Sequence, residues 1–523
     1  MGKEVIRGRR AGALVPLFSI PSTESWGIGE IADLPVFARW ARSAGLSVVQ
    51  LLPVNEMADS QSSPYSALSA MAIDPIFIAL RQMPEFSTTG GEQALTSVQR
   101  EGLEHVRRAR SVDYGAVRDL KVGVLETMFG EFVEREWRPG TARAAAMHAY
   151  MQSEGWWLDD YLLFRALHEE NGGRYWLEWS PPLRDRVPQA LAQARSRLDR
   201  KILYYAWQQW TAAEQWRRAH AESGVGVLGD FPFMVSGDSA DVWARQDEFQ
   251  TDASVGVPPD AFSETGQDWG LPVYRWDAHA ASDYEWLRAR ARRCAELFDG
   301  FRVDHLVGFY RTYARDSDGA AYFVPPTENE QLAQGERLME VFASSGAAII
   351  AEDLGTVPDF VRASLTALAI PGLKVLRWER EWKADGRPFK DPSTYPPVSV
   401  AISGTHDTET LAEWWDNADA DERARAAEMP RLRAAEITAD DPFSDRVRDA
   451  LLESLYSAGS DLLLVPVQDV FGWRDRINTP ALVCDENWSW RMPWPVDTLA
   501  EQGEAHERAA VLLALGRRFR RLA

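Results

Sequence analysis

The sequence predicts an α/β protein built on a (β/α)8 TIM barrel, with helical and loop insertions on the catalytic face. Three observations lead there. Eight short apolar runs are spread along the chain, each followed mainly by helical or loop sequence. The runs are nearly continuous in hydrophobicity rather than alternating, as parallel strands covered on both faces must be. Acidic residues stand at the ends of three runs, where a barrel of this kind keeps its reactive groups. The whole chain, 1–523, reads as one catalytic barrel, because barrels routinely exceed the roughly 150 residues of an average domain.

In order, the runs are 13–18, 48–53, 225–231, 300–305, 347–352, 373–378, 399–404 and 462–467. The gap between the second and third is far longer than one crossover helix requires. Helical apolar spacing recurs within it at 122–134, 142–153, 158–170 and 201–221, with Pro181-Pro182 as punctuation. Residues 55–224 are therefore expected to form an inserted, mainly helical subdomain between strands two and three. A second insertion, 233–299, is rich in loop signals such as Val257-Pro258-Pro259-Asp260 and is expected to carry substrate-cleft loops. Residues 417–446 are charged and Ala-rich, as an outer helix would be.

Composition narrows the function. Apolar residues make 45% of the chain and charged residues 26%, an ordinary globular mixture. With 78 acidic against 57 basic residues the net charge is −21, which disfavours nucleic acid and anionic membranes as partners. Two cysteines, Cys294 and Cys484, supply neither a disulfide framework nor a four-ligand zinc site, and suit reduced thiols in the cytoplasm. Lys3, Arg7, Arg9 and Arg10 before the apolar stretch 11–20 imitate a leader, but Pro16 interrupts the stretch and Glu4 sits among the cations. The 22 Trp fit either a large buried core or platforms for sugar rings.

The chemistry concentrates at strand ends. Strand four ends in Phe301-Arg302-Val303-Asp304-His305, strand five in Ala351-Glu352-Asp353, and strand seven in Gly404-Thr405-His406-Asp407. Arg302 and Asp304, two apart, share one face of their strand, and the cation is expected to hold Asp304 ionised. Facing carboxyl groups, one charged and one protonated, are what glycosidic-bond cleavage needs. Isolated acidic residues at strand ends usually cap helices or pair with surface cations; three at one mouth are harder to explain so. No Walker A loop, G-x-S-x-G elbow, H-E-x-x-H or G-x-G-x-x-G occurs. Asp316-Ser317-Asp318-Gly319 resembles part of a calcium loop, lacks the later ligands, and reads as a turn.

These segments, taken together, resemble the 4-α-glucanotransferases (amylomaltases or disproportionating enzymes) of glycoside hydrolase family 77. The likeness runs nearly end to end, through Trp26-Gly27-Ile28-Gly29, Ser63-Pro64-Tyr65-Ser66, Gly229-Asp230-Phe231-Pro232, Gly266-Gln267-Asp268-Trp269-Gly270 and Asn487-Trp488-Ser489-Trp490-Arg491. The resemblance implies Asp304 as nucleophile, Glu352 as general acid/base and Asp407 as the third carboxylate, gripping sugar hydroxyls. It implies Arg302, Asp230 and His406 around the reacting glucose, Tyr65 and Trp269 as aromatic platforms, Gln267 near the acceptor, and Asp260 on a covering loop. The implied partners are α-1,4-glucans and maltooligosaccharides; no cofactor or metal is required. To act as an acid, Glu352 is expected to titrate above the roughly 4.3 of free glutamate. An α-amylase-type hydrolase would use the same carboxylates, and a silent glucan-binding protein would be expected to lack one of them. Two positions depart from the family pattern: Thr408-Glu409 replaces Asn-Asp, and Asp74 replaces an Asn before Pro75.

Overall fold

The computed structural model describes residues 4–58, 61–259, 266–480, 482 and 484–522. Among these, twelve strands are numbered in chain order. Eight close a parallel barrel: β1 (Arg10–Leu14), β2 (Val48–Gln50), β3 (Gly226–Phe231), β6 (Gly300–Val303), β9 (Ala348–Ala351), β10 (Gly372–Val375), β11 (Ser399–Ile402) and β12 (Leu462–Pro466). They succeed one another around the wall in that order, and β12 pairs back onto β1. This is the (β/α)8 architecture, and each strand lies within or beside its expected apolar run. The first is displaced. It begins at Arg10, whose N–H donates to the Asp461 carbonyl, and ends before Pro16, with Leu17–Ser19 forming a 3-10 turn. A charged first residue and a proline inside the apolar stretch shifted the hydrophobic signal downstream of the true ladder.

Alternation along the strands fills the barrel. Val48, Leu228, Ile350, Val375, Val400, Ile402, Leu462 and Leu464 meet in a buried cluster separate from the core under the outer helices. The same period of two then carries polar side chains into the barrel mouth. Asp230 follows Leu228, Arg302 and Asp304 follow Gly300, and Glu352 follows Ile350.

The segment between β2 and β3 is helical, with Ser97–Arg108, Tyr114–Phe132, Ala142–Glu170 and Asp199–Ser223 as its longest pieces. The two helices expected at 142–153 and 158–170 are one, because Gly155 is tolerated inside a 29-residue helix whose far half buries Trp157, Leu158, Tyr161 and Leu162. Helix Asp199–Ser223 packs against the barrel helix Leu34–Ser43 and is itself the crossover from β2 to β3.

Residues 233–299 hold more regular structure than their loop signals suggested. β4 (Phe249–Val257) and β5 (Gln267–Tyr274) pair antiparallel, and helix Glu285–Leu297 packs on β3 and β6. β7 (Thr312–Arg315) and β8 (Ala321–Val324), which follow β6, complete a four-stranded sheet in the order β5-β4-β7-β8. The loop signals at Val257-Pro258-Pro259-Asp260 hid this hairpin, whose strands approach closely at Gly256. A Cβ there would lie 1.9 Å from the Gln267 carbonyl oxygen, so the two strands need glycine to approach. No helix among the described residues is long and apolar enough to cross a membrane.

Candidate functional site

Arg302 organises the mouth. Its side chain is 4% exposed, and one guanidinium nitrogen, Nη1, donates to both Asp230 oxygens at 2.8 and 2.6 Å. Nη2 donates to Asp304 Oδ1 at 2.8 Å and lies 3.0 Å from Glu352 Oε2. The Tyr65 hydroxyl donates to Asp230 Oδ2 at 2.9 Å, closing the far side of this ion pair. Backbone bonds extend the barrel ladder one step beyond the strands: Asp304 N–H donates to the Phe231 carbonyl, and Glu352 N–H to the Val303 carbonyl. Asp304 and Glu352 therefore have anchored backbones, and their side chains remain 22% and 21% accessible while Asp230 is fully buried.

The protonation pattern differs from the expectation. Burial pushes Asp304 up to about 8, because Arg302 is shared among three carboxylates and cannot offset both desolvation and the charge of Glu352 and Asp230. Burial also raises Glu352, but Arg302 and the His305 N–H, which donates to Oε2 at 2.6 Å, outweigh it and hold the group below the usual carboxylate range. The two groups titrate as a pair, and these opposite shifts put its proton on Asp304. The expected raised pKa of Glu352 and ionised Asp304 are thus reversed here.

Across the mouth, the loop after β11 presents His406 and Asp407. Asp407 Oδ2 lies 3.2 Å from His406 Nε2, and Asn478 Nδ2 donates to Oδ1 at 2.6 Å. Burial raises Asp407, but these two partners prevail and hold it at about 2; reciprocally, Asp407 outweighs burial and raises His406. Arg476 donates to the Asp407 carbonyl, and Asn478 N–H to that of His406, so the segment after β12 clamps this loop. Asn478 and Arg476 were missed in the sequence. They sit in an aperiodic turn with no motif, and only their proximity in space marks them.

Tyr65 belongs to this inner wall. Its ring stacks on His406, with centroids 5.3 Å apart, and both rings abut Trp488. Trp269 is half-buried on β5, more enclosed than its glycine-rich setting suggested; its edge meets His305 at 4.9 Å and its indole N–H donates to Gln267 Oε1 at 3.1 Å. The structure thus gathers Tyr65, Asp230, Arg302, Asp304, Glu352, His406 and Asp407, and links Gln267 and Trp269 to them through His305. Asp260 lies outside the described residues. At the departures from the family pattern, Thr408 Oγ1 accepts from Thr405 N–H and donates to its carbonyl, Arg377 donates to the Glu409 carbonyl, and Asp74 caps the turn Pro75–Phe77.

The family model for glycoside hydrolase family 77, described as 4-alpha-glucanotransferase, matches residues 15–497. The chain belongs to this family. The 4-alpha-glucanotransferases it resembles include that of Thermus thermophilus, 32% identical with 92% of this chain and 95% of the relative covered. That of Chlamydia pneumoniae is 31% identical, covering 94% and 92%. An amylomaltase from Streptococcus agalactiae, solved in complex with acarbose, superposes with a TM-score of 0.83 at 26% identity, over 99% of this chain and all of that one. The amylomaltase of Corynebacterium glutamicum shares the fold, with a TM-score of 0.80 at 22% identity over 96% of this chain and 75% of its own.

Proposed function

We propose that this 4-alpha-glucanotransferase works by a two-step, configuration-retaining exchange of α-1,4-glucan segments at the Arg302 cluster. Asp304 attacks the anomeric carbon while Glu352 gives a proton to the departing 4-oxygen, and a covalent glucosyl ester forms on Asp304. Glu352 then takes the proton of an incoming 4-hydroxyl, the ester bond breaks, and a new α-1,4 bond replaces the old one. Asp407, kept ionised by His406 and Asn478, accepts from sugar hydroxyls and favours the distorted ring. Asp230 and Tyr65 fix Arg302 and the floor of the subsite. Tyr65 and Trp269 offer ring faces to the glucan, with Gln267 on the acceptor side. No cofactor or metal takes part in this scheme.

The observation that carries this reading is one guanidinium nitrogen within 2.8 Å of Asp304 and 3.0 Å of Glu352, so that the two carboxyl groups compete for its charge while the pair's proton rests on Asp304. A glycosidic oxygen that displaces Glu352 from Arg302 and the His305 N–H removes what keeps Glu352 ionised. The proton then crosses to Glu352, leaving Asp304 charged against Arg302, which is the distribution the first step requires. Maltooligosaccharides and starch-like or glycogen-like α-glucans are the partners, and a cytoplasmic site of action suits the two free thiols. Purified protein incubated with maltotriose should release glucose and build a ladder of longer maltooligosaccharides with reducing ends conserved. A rise in reducing ends without longer products would make it an α-amylase-type hydrolase.

A further inference from the structure

Of the 22 tryptophans, all within the described residues, two are exposed, Trp378 at 39% and Trp382 at 63%. Both lie on the arm that follows β10. In the barrel wall β10 stands between β9, whose end bears Glu352, and β11, whose loop bears Asp407. The arm therefore rises between two of the three carboxylates.

The arm is firmly held. Trp378 N–H donates to the Val375 carbonyl, Glu381 N–H to that of Pro388 and Lys390 N–H to that of Glu379, with a bridge pairing Arg380 and Phe389. Beneath it, Arg377 donates to the Glu409 carbonyl, while Arg380 lies 3.3 Å above the Phe389 ring and pairs with Glu422. At its outer end the Arg387 guanidinium lies 6.0 Å from the centre of the Trp382 ring. A side chain that could bury 150–250 Å² is instead kept in water on a fixed support. A cation on one indole face leaves the other for stacking.

We infer that Trp382, with Arg387, forms an outer binding site for α-1,4-glucan, holding chain that extends beyond the reacting sugars. The apolar face of a glucosyl ring lies on the open face of the indole, while Arg387 backs the opposite face. The role is to favour long chains over short ones, by binding rather than by chemistry. This rests on the glucan-transfer reading above.

The test compares wild type, Trp382→Ala and Trp382→Phe on maltotriose and on long amylose, at matched thermal midpoints. For Trp382→Ala the ratio of kcat/KM on amylose to that on maltotriose should fall roughly three- to tenfold, the range expected for one aromatic stack, mainly through KM for amylose. Trp382→Phe should recover most of the ratio. An unchanged ratio, or equal losses on both substrates, overturns the proposal. So does altered sedimentation with an unchanged ratio, which would make the indole a contact between copies of the chain. Failure of the wild-type enzyme to disproportionate maltotriose would instead refute the transferase reading.

Discussion

Asn478→Ala removes one hydrogen-bond donor from Asp407 and leaves every proposed catalytic group in place. Its amide is 2.6 Å from Oδ1, and the remaining partner, His406, is 3.2 Å from Oδ2. A hydrogen bond to a charged acceptor contributes about 1.5–3 kcal/mol. Asp407 is 41% exposed, so water recovers part of this, leaving about 1–2 kcal/mol, or roughly 5–30-fold in kcat/KM. If Asp407 binds the distorted ring more tightly than the relaxed sugar, the loss falls on kcat with KM little changed. Asp407 would also titrate closer to neutrality. Its folded-state contribution to stability, complete above the unfolded value near 3.9 and lost as pH falls towards about 2, would shrink, and the acid limb of the rate profile would move to higher pH. Glucose release from maltotriose between pH 4 and 8, with thermal midpoints on the same samples, reads all three effects. A kcat/KM within twofold of wild type, or a loss confined to KM, refutes the role given to Asp407.

Three more outcomes are expected. Asp304→Asn should abolish transfer; because burial raises Asp304 to about 8, its protonated form stabilises the fold fully below about 4 and this is lost as pH rises through 8, so the variant's thermal midpoint should gain on wild type across that window, and a constant difference would contradict the shift. Glu352→Gln should stall transfer from maltooligosaccharides yet release fluoride from α-glucosyl fluoride, leaving a glucosyl adduct on Asp304 in peptide mass analysis; loss of fluoride release as complete as in Asp304→Asn would remove Glu352 from the acid/base role. Lys121→Met should destabilise the fold by about 3–5 kcal/mol in urea titration, because it strands buried Glu30, 2.7 Å away, and the carbonyls of Ile76 and Ile78; a change below 1 kcal/mol would show that this buried pair contributes little to stability.

The barrel was legible because its strands are dense in Val, Ile, Leu and Ala, and because a period of two carries that density into Asp230, Arg302, Asp304 and Glu352. The β4–β5 hairpin was not, since Gln250, Thr251, Asp252 and Ser254 leave β4 no apolar rhythm to read. Asn478 and Arg476 reach Asp407 from about 70 residues away in sequence, through the closure of β12 against β1 and β11, and no local pattern encodes such a distance. The proton's location was misread for a related reason. The pair Arg302–Asp304 is visible in sequence, but the competition of Asp230 and Glu352 for the same guanidinium arises only when three strands are neighbours.

The sheet β5-β4-β7-β8 is stitched from both flanks of β6, the strand that carries Arg302 and Asp304. β4 lies inside it, bonded to β5 on one edge and to β7 on the other. The β4–β5 hairpin is therefore no detachable cassette. Exchanging residues 249–274 with those of a relative would break the β4–β7 seam unless 312–324 moved too. In a lineage, the two flanks are bound to vary together, and a recombination crossover within 275–311 should yield chimaeras that misfold or lose activity more often than crossovers between β9 and β10.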